Sequence, residues 1–148
     1  MTEKGFTLLE LLVVLVIASL VLAFVVPVGG RHGDRAELAR SVDQMASALR
    51  MTRSRAIRND RPEALLVDVK QALYRDAGNA GLGAFPAGTR LTLTTTEDEK
   101  QDGALGSIRF FPDGSSTGGG ITIEKGVLRY DLLVDWLTGS VSVRATQS

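Results

Sequence analysis

The sequence predicts an α+β fold, a long helical run at the start followed by antiparallel strands, and three observations carry that prediction. Residues Phe6 to Val28 are nearly continuous apolar sequence, residues 38 to 56 carry an apolar stripe at helical spacing, and from residue 64 onward apolar and polar residues alternate in short blocks. A chain of 148 residues allows one domain of ordinary size plus a small accessory segment. Its 17 Lys+Arg balance 17 Asp+Glu, which argues against a surface that is everywhere an electrostatic trap for nucleic acid. There is no Cys and one His. Disulfides, thiolate zinc sites and cysteine nucleophiles are thereby removed, and little is left for a catalytic dyad. The chain is therefore expected not to be an enzyme, with no catalytic residue, no metal and no cofactor.

The first element is the run FTLLELLVVLVIASLVLAFVVPV, residues 6–28, with Glu10 its only charge. As a helix its 23 residues measure about 34 Å, against a hydrocarbon core of about 30 Å. A cleaved secretory signal would have a shorter apolar stretch, a basic leader and a small-x-small site. Here the leader is MTEKG and no such site precedes Pro27-Val28-Gly29-Gly30, so the segment reads as retained in the membrane. Pro27 removes one helical hydrogen bond, and Gly29, Gly30 and Gly33 follow. Chain flexibility and a role in extraction from the membrane are equally good readings of that stretch.

Next, Leu38, Val42, Met45, Leu49 and Ala56, flanked by Ala39 and Ala46, give a helix with one buried face. Asp34, with Glu37 three residues on, has the pattern of its amino-terminal cap, and Asn59-Asp60-Arg61-Pro62 stops it. The apolar and amphipathic helices are expected to form one long spine. Residues 31–61 hold eight Arg against four acidic residues, and residues 62–148 hold eight basic against eleven acidic. Arg50, Arg53, Arg55, Arg58 and Arg61 fall on several sides of the helix. They read as a solvated face with local ion pairs, the lesser alternatives being acidic neighbouring subunits or phosphates.

The remainder reads as strands: 64–69, 90–95, 107–111, 120–124, 127–136 and 140–144. In the longest, Leu128, Tyr130, Leu132, Val134 and Trp136 share one face, and Trp136 reads as a core anchor at the strand's end. The glycines from Gly114 to Gly120 lack a phosphate loop's Gly-Lys-Ser/Thr ending and precede a strand, so they read as a plain loop. Residues 97–103, EDEKQDG, lack the ligand spacing of a calcium loop and read as a solvated acidic loop. His32 stands among glycines beside the apolar run and is expected to have no catalytic part.

Two groups of motifs resemble a known family. Lys4-Gly5-Phe6-Thr7-Leu8-Leu9-Glu10 followed by the apolar run resembles the class III signal of type IV pilins and type II secretion pseudopilins. The resemblance implies a cut by prepilin peptidase after Gly5, N-methylation of Phe6, and an assembly role for Glu10. Phe110-Phe111-Pro112-Asp113-Gly114-Ser115-Ser116-Thr117-Gly118-Gly119 and Val134-Asp135-Trp136-Leu137-Thr138-Gly139-Ser140-Val141 resemble the carboxy-terminal signatures of the H-type minor pseudopilins (GspH). The related FimT and FimU kind of minor pilin shares the first more loosely, and residues 62–106 carry no placed motif.

The resemblance implies a pilin-like fold of four segments: a leader 1–5, a transmembrane helix segment 6–28, an amphipathic continuation 29–61 and a β-rich periplasmic domain 62–148. It implies a structural subunit near the tip of a periplasmic fibre. The implied partners are other major and minor pseudopilins, an inner-membrane assembly platform and the peptidase; no nucleic acid is expected. The implied location is the bacterial inner membrane, single-pass, with the globular part in the periplasm. The charge rule opposes that orientation, since Lys4 alone precedes the span while Arg31, Arg35 and Arg40 follow it; the motif is the more specific signal. The rival is a minor type IV pilin, in one form a DNA receptor using the arginines.

Overall fold

The computed structural model describes residues 8–25, 29–76, 81–96, 100–101 and 104–147. The chain divides into two compact units, Met1–Arg35 and Ala36–Ser148. In the first lies helix α1, Leu8–Val25, whose 18 residues measure about 27 Å. Among the described residues no helix is long and apolar enough to cross a membrane. The expected span 6–28 runs past α1 at both ends, and the expected join of the two helices falls on residues 26–28; those positions lie outside the described residues.

Helix α2 spans Gly29–Asn59. Asp34 is therefore inside it, and the cap expected there is a misreading. Glycine lowers helix propensity by about 1 kcal/mol relative to Ala, but a growing helix gains a hydrogen bond with each added residue. Gly29, Gly30 and Gly33 are absorbed rather than acting as a stop. The other end follows expectation: Asp60 adopts φ +49°, and the N–H of Arg61 reaches back to the carbonyl of Ala56 at 3.3 Å. That is a Schellman closure with Asp in the left-handed position, and Pro62 prevents continuation.

The second unit is built on the stripe. Leu38, Val42, Met45, Ala46, Leu49 and Ala56 are all at most 1% exposed. Thr52 completes the row, its hydroxyl bonded to the carbonyl of Ala48 at 2.9 Å so that no polar group is orphaned. Among the described residues nine strands follow: β1 Glu63–Asp68, β2 Leu73–Asp76, β3 Leu82–Ala84, β4 Arg90–Thr94, β5 Lys100–Gln101, β6 Leu105–Phe110, β7 Gly119–Lys125, β8 Leu128–Val134 and β9 Val141–Gln147.

The strands form two antiparallel sheets, ordered β3-β2-β1-β6-β5 and β4-β7-β8-β9. Leu65, Val67, Ile108 and Phe110 from the first and Ile121, Ile123, Leu132 and Val134 from the second join the helix stripe in one core. The sheets meet where the hydroxyl of Thr95 donates to the carbonyl of Ser107 at 3.0 Å. Three strands were not anticipated. β2 and β3 form a hairpin in which Gly83 lies opposite Tyr74, whose ring occupies the space a side chain at 83 would need. Tyr74 in turn packs on Phe85 with ring centres 6.0 Å apart. Lys100 and Gln101, expected in an acidic loop, pair with β6 as β5.

Candidate functional site

Two places hold the residues singled out by sequence. Gly5 and Phe6 lie outside the described residues, and Glu10 occupies the first turn of α1, exposed like its neighbours from Leu8 to Leu20. The second place is the pair of loops bearing the carboxy-terminal signatures.

Those loops interlock. In the first, the N–H of Gly114 returns to the carbonyl of Phe111 and the N–H of Phe111 meets the carbonyl of Ser115, both at 2.9 Å. The second is a turn closed by Asp135, whose Oδ1 accepts from the N–H groups of Leu137 and Thr138 and from the Thr138 hydroxyl at 3.1, 2.8 and 2.8 Å. Ser116 ties the loops together: its N–H donates to the carbonyl of Trp136 at 2.8 Å and its hydroxyl to that of Asp135 at 3.1 Å. Gly114 and Gly139 have φ of +85° and +63°. They stand so close that a β-carbon on Gly139 would strike the carbonyl oxygen of Gly114. The hydrogen bonds donated by Thr138 hold the Asp135 carboxylate below its ordinary range, and those from Ser115 do the same for Asp113.

Trp136 is not a core anchor. Strand β8 ends at Val134, and Trp136 stands 66% exposed on the Asp135 turn, with Leu137 beside it at 63%. The missed signal was Asp135 before Trp136-Leu137-Thr138 and Gly139: an Asp that caps its own turn and a Gly for the positive φ mark a reversal, not strand continuation.

The arginines are also less free than a solvated face requires. Arg53 donates from Nε to the carbonyl of Gly114 at 2.9 Å, and Arg50 to that of Val141 at 3.3 Å. Arg55 pairs with Asp76, both side chains largely buried, and Arg61 pairs with buried Glu63 at 2.9 Å. Three of the five, Arg50, Arg53 and Arg55, thus bind α2 to the strands and loops. Among the described residues no group of three or more His, Asp and Glu is placed to hold a metal ion.

The model of the family described as type II transport protein GspH matches residues 41–139, which include α2 from Ser41 and both interlocked loops. The chain belongs to the GspH family. The prokaryotic N-terminal methylation motif matches residues 1–26, around Gly5, Phe6 and Glu10. Type II secretion system protein H of Xanthomonas campestris pv. campestris is 34% identical over 140 residues, covering 93% of this chain and 81% of its own length.

Two solved structures share the fold of this GspH-family chain. The minor pseudopilin EpsH from the type 2 secretion system of Vibrio cholerae aligns with TM-score 0.58 at 13% identity, over 74% of this chain and 97% of its own. The type IV minor pilin FimU of Pseudomonas aeruginosa aligns with TM-score 0.57 at 15% identity, over 77% and 96%. The fold is pilin-like: an amino-terminal helix set against antiparallel sheets.

Proposed function

We propose that this GspH-family chain is a minor pseudopilin of the type II secretion system, a structural subunit near the tip of a periplasmic fibre that supports protein export across the outer membrane. The observation that carries the reading is the presence in one chain of the N-terminal methylation motif over residues 1–26 and the GspH match over residues 41–139. Residues 1–5 are a leader cut by prepilin peptidase after Gly5, where the absence of a side chain leaves the backbone open to attack. Residues 6–28 hold the subunit in the inner membrane, residues 29–61 continue as the amphipathic helix, and residues 62–148 face the periplasm. The protein acts by assembly, through other pseudopilins and the inner-membrane platform, rather than by catalysis.

Glu10 has a chemical reason to lie in the apolar segment. A carboxylate within a membrane helix is costly, up to about 3 kcal/mol at the helix centre even on lenient scales, so such residues face a partner. Cleavage creates one, the amino group of Phe6, with a pKa of about 8 and a positive charge that methylation keeps. Within one helix that amine lies about 6 Å along the axis and points away from Glu10. The amine of a neighbouring subunit is the better match, and the pairing sets the register of assembly. The type IV pilus alternative, a FimU-like minor pilin, is less favoured, because at 34% identity the relative covering most of this chain is a type II secretion protein H.

Mass spectrometry of the protein taken from cells with its cognate peptidase tests the processing. The expected chain begins at Phe6, lacks MTEKG and carries one added methyl; an intact Met1 would overturn it.

A further inference from the structure

Between Trp136 and Leu133 the second sheet has a notch, a surface cavity of about 500 Å³. Gly118 and Gly119, at φ +69° and +141°, line it together with Ser142. Position 118 must be glycine: a β-carbon there would lie 2.9 Å from Cβ of Trp136. Trp136 at 66% exposure and Leu133 at 43% both line the notch. Asp135 is the one carboxylate among the described lining residues, and none of them is basic. The backbone that carries Asp135 and Trp136 is held in place by the two bonds from Ser116 and by the Asp135 turn itself.

An exposed tryptophan and a carboxylate lining one cavity are chemically specific. The face of an indole attracts a cation, and the carboxylate disfavours a phosphate. Trp is also prominent among the residues that dominate protein interfaces, and a turn already fixed by hydrogen bonds costs little to order. Resting on the fibre-subunit reading above, we propose that this notch receives an arginine or lysine side chain from the globular domain of a neighbouring pilin-like subunit, its stem along Trp136 and Leu133 and its charge toward Asp135. Self-pairing of two notches is disfavoured, because it would set Asp135 against Asp135.

Trp136 is the chain's one tryptophan, so its fluorescence reads the site directly. Full-length protein in detergent micelles is mixed with each other pilin-like subunit of its own system, their tryptophans replaced by phenylalanine, and complex formation is followed by co-migration. Complex formation is expected to shift the Trp136 emission to shorter wavelength. Trp136→Ala is expected to weaken the complex at least tenfold with its unfolding temperature unchanged. Asp135→Asn, which keeps Oδ1 as turn acceptor, is expected to weaken it several-fold and to flatten its salt dependence. Unshifted emission in a complex that Trp136→Ala leaves at full strength would overturn the notch while leaving the subunit reading intact. A shift produced by duplex DNA, or by concentrating the protein alone, would overturn the proposed occupant. Failure of the wild-type protein to bind any of the subunits would overturn the notch and the subunit reading together.

Discussion

At the scale of the residue, Gly139 carries a heavy constraint. Its φ of +63° is unfavourable for any side chain, and a β-carbon there would collide with the Gly114 carbonyl oxygen and crowd Nε of Arg53 at 2.7 Å. Neither neighbour yields cheaply, since the Arg53 to Gly114 hydrogen bond runs through the same space. Gly139→Ala is expected to cost at least about 2 kcal/mol, read as a lowered urea midpoint with the denaturant slope unchanged. Glu63 illustrates a different residue effect. Buried at the start of β1, it accepts from Arg61 at 2.9 Å and from Asn59 at 3.4 Å. The Arg61 hydrogen bond is the main cause of a carboxyl pKa below its ordinary 4.5, opposed by burial. A depressed folded value means stability that is fully present above 4.5 and is lost as the pH falls through the folded value. Glu63→Gln should therefore be less stable than the parent at pH 6 and have a shallower decline below about 4.5. Comparing urea midpoints of the two proteins isolates Glu63 from Asp113, Asp131 and Asp135, whose carboxyls are also held low. An identical slope in both would refute the role.

At the scale of the element, α2 is joined to the β region by its apolar stripe and by polar ties. The Arg55–Asp76 pair links it to the β2–β3 hairpin. Removing one partner of a largely buried pair strands the other charge, which costs about 3 kcal/mol, whereas replacing both with apolar groups is often close to neutral. Asp76→Ala is expected to lose about that much, and Arg55→Met with Asp76→Leu to recover most of it; an Asp76→Ala protein as stable as the parent would show the pair to be inert.

The elements differ in how legible they were, for physical reasons. The stripe at 38, 42, 45, 49 and 56 was readable because burial of one helix face fixes the spacing, and β7 and β8 because their inner positions alternate regularly. The β2–β3 hairpin was not, since a four-residue and a three-residue strand exist only through pairing and through Tyr74 lying over Gly83. Trp136 was misplaced by extending the period of β8 past Asp135, where turn bonds outweigh alternation. The amino-terminal site rests on motif alone, because Gly5 and Phe6 fall outside the described residues.

At the scale of the whole molecule, the residues proposed for anchoring and those proposed for recognition lie far apart in the sequence. The methylation motif and Glu10 lie in the first 26 residues, and the interlocked loops with their exposed Trp136 lie in the last 40. Glu10→Gln removes the charge while keeping size and helix propensity, so cleavage and folding of the globular part should persist while cross-linking to neighbouring subunits falls.

The most direct measurement is export of secreted enzymes by cells from which the gene has been deleted, then complemented with the wild-type protein or with Glu10→Gln. Deletion should leave the enzymes in the periplasm, wild-type protein should return them to the medium, and Glu10→Gln should be processed normally yet fail to restore export. Export at full level without the gene, with loss of pilus-dependent motility instead, would contradict assignment to type II secretion.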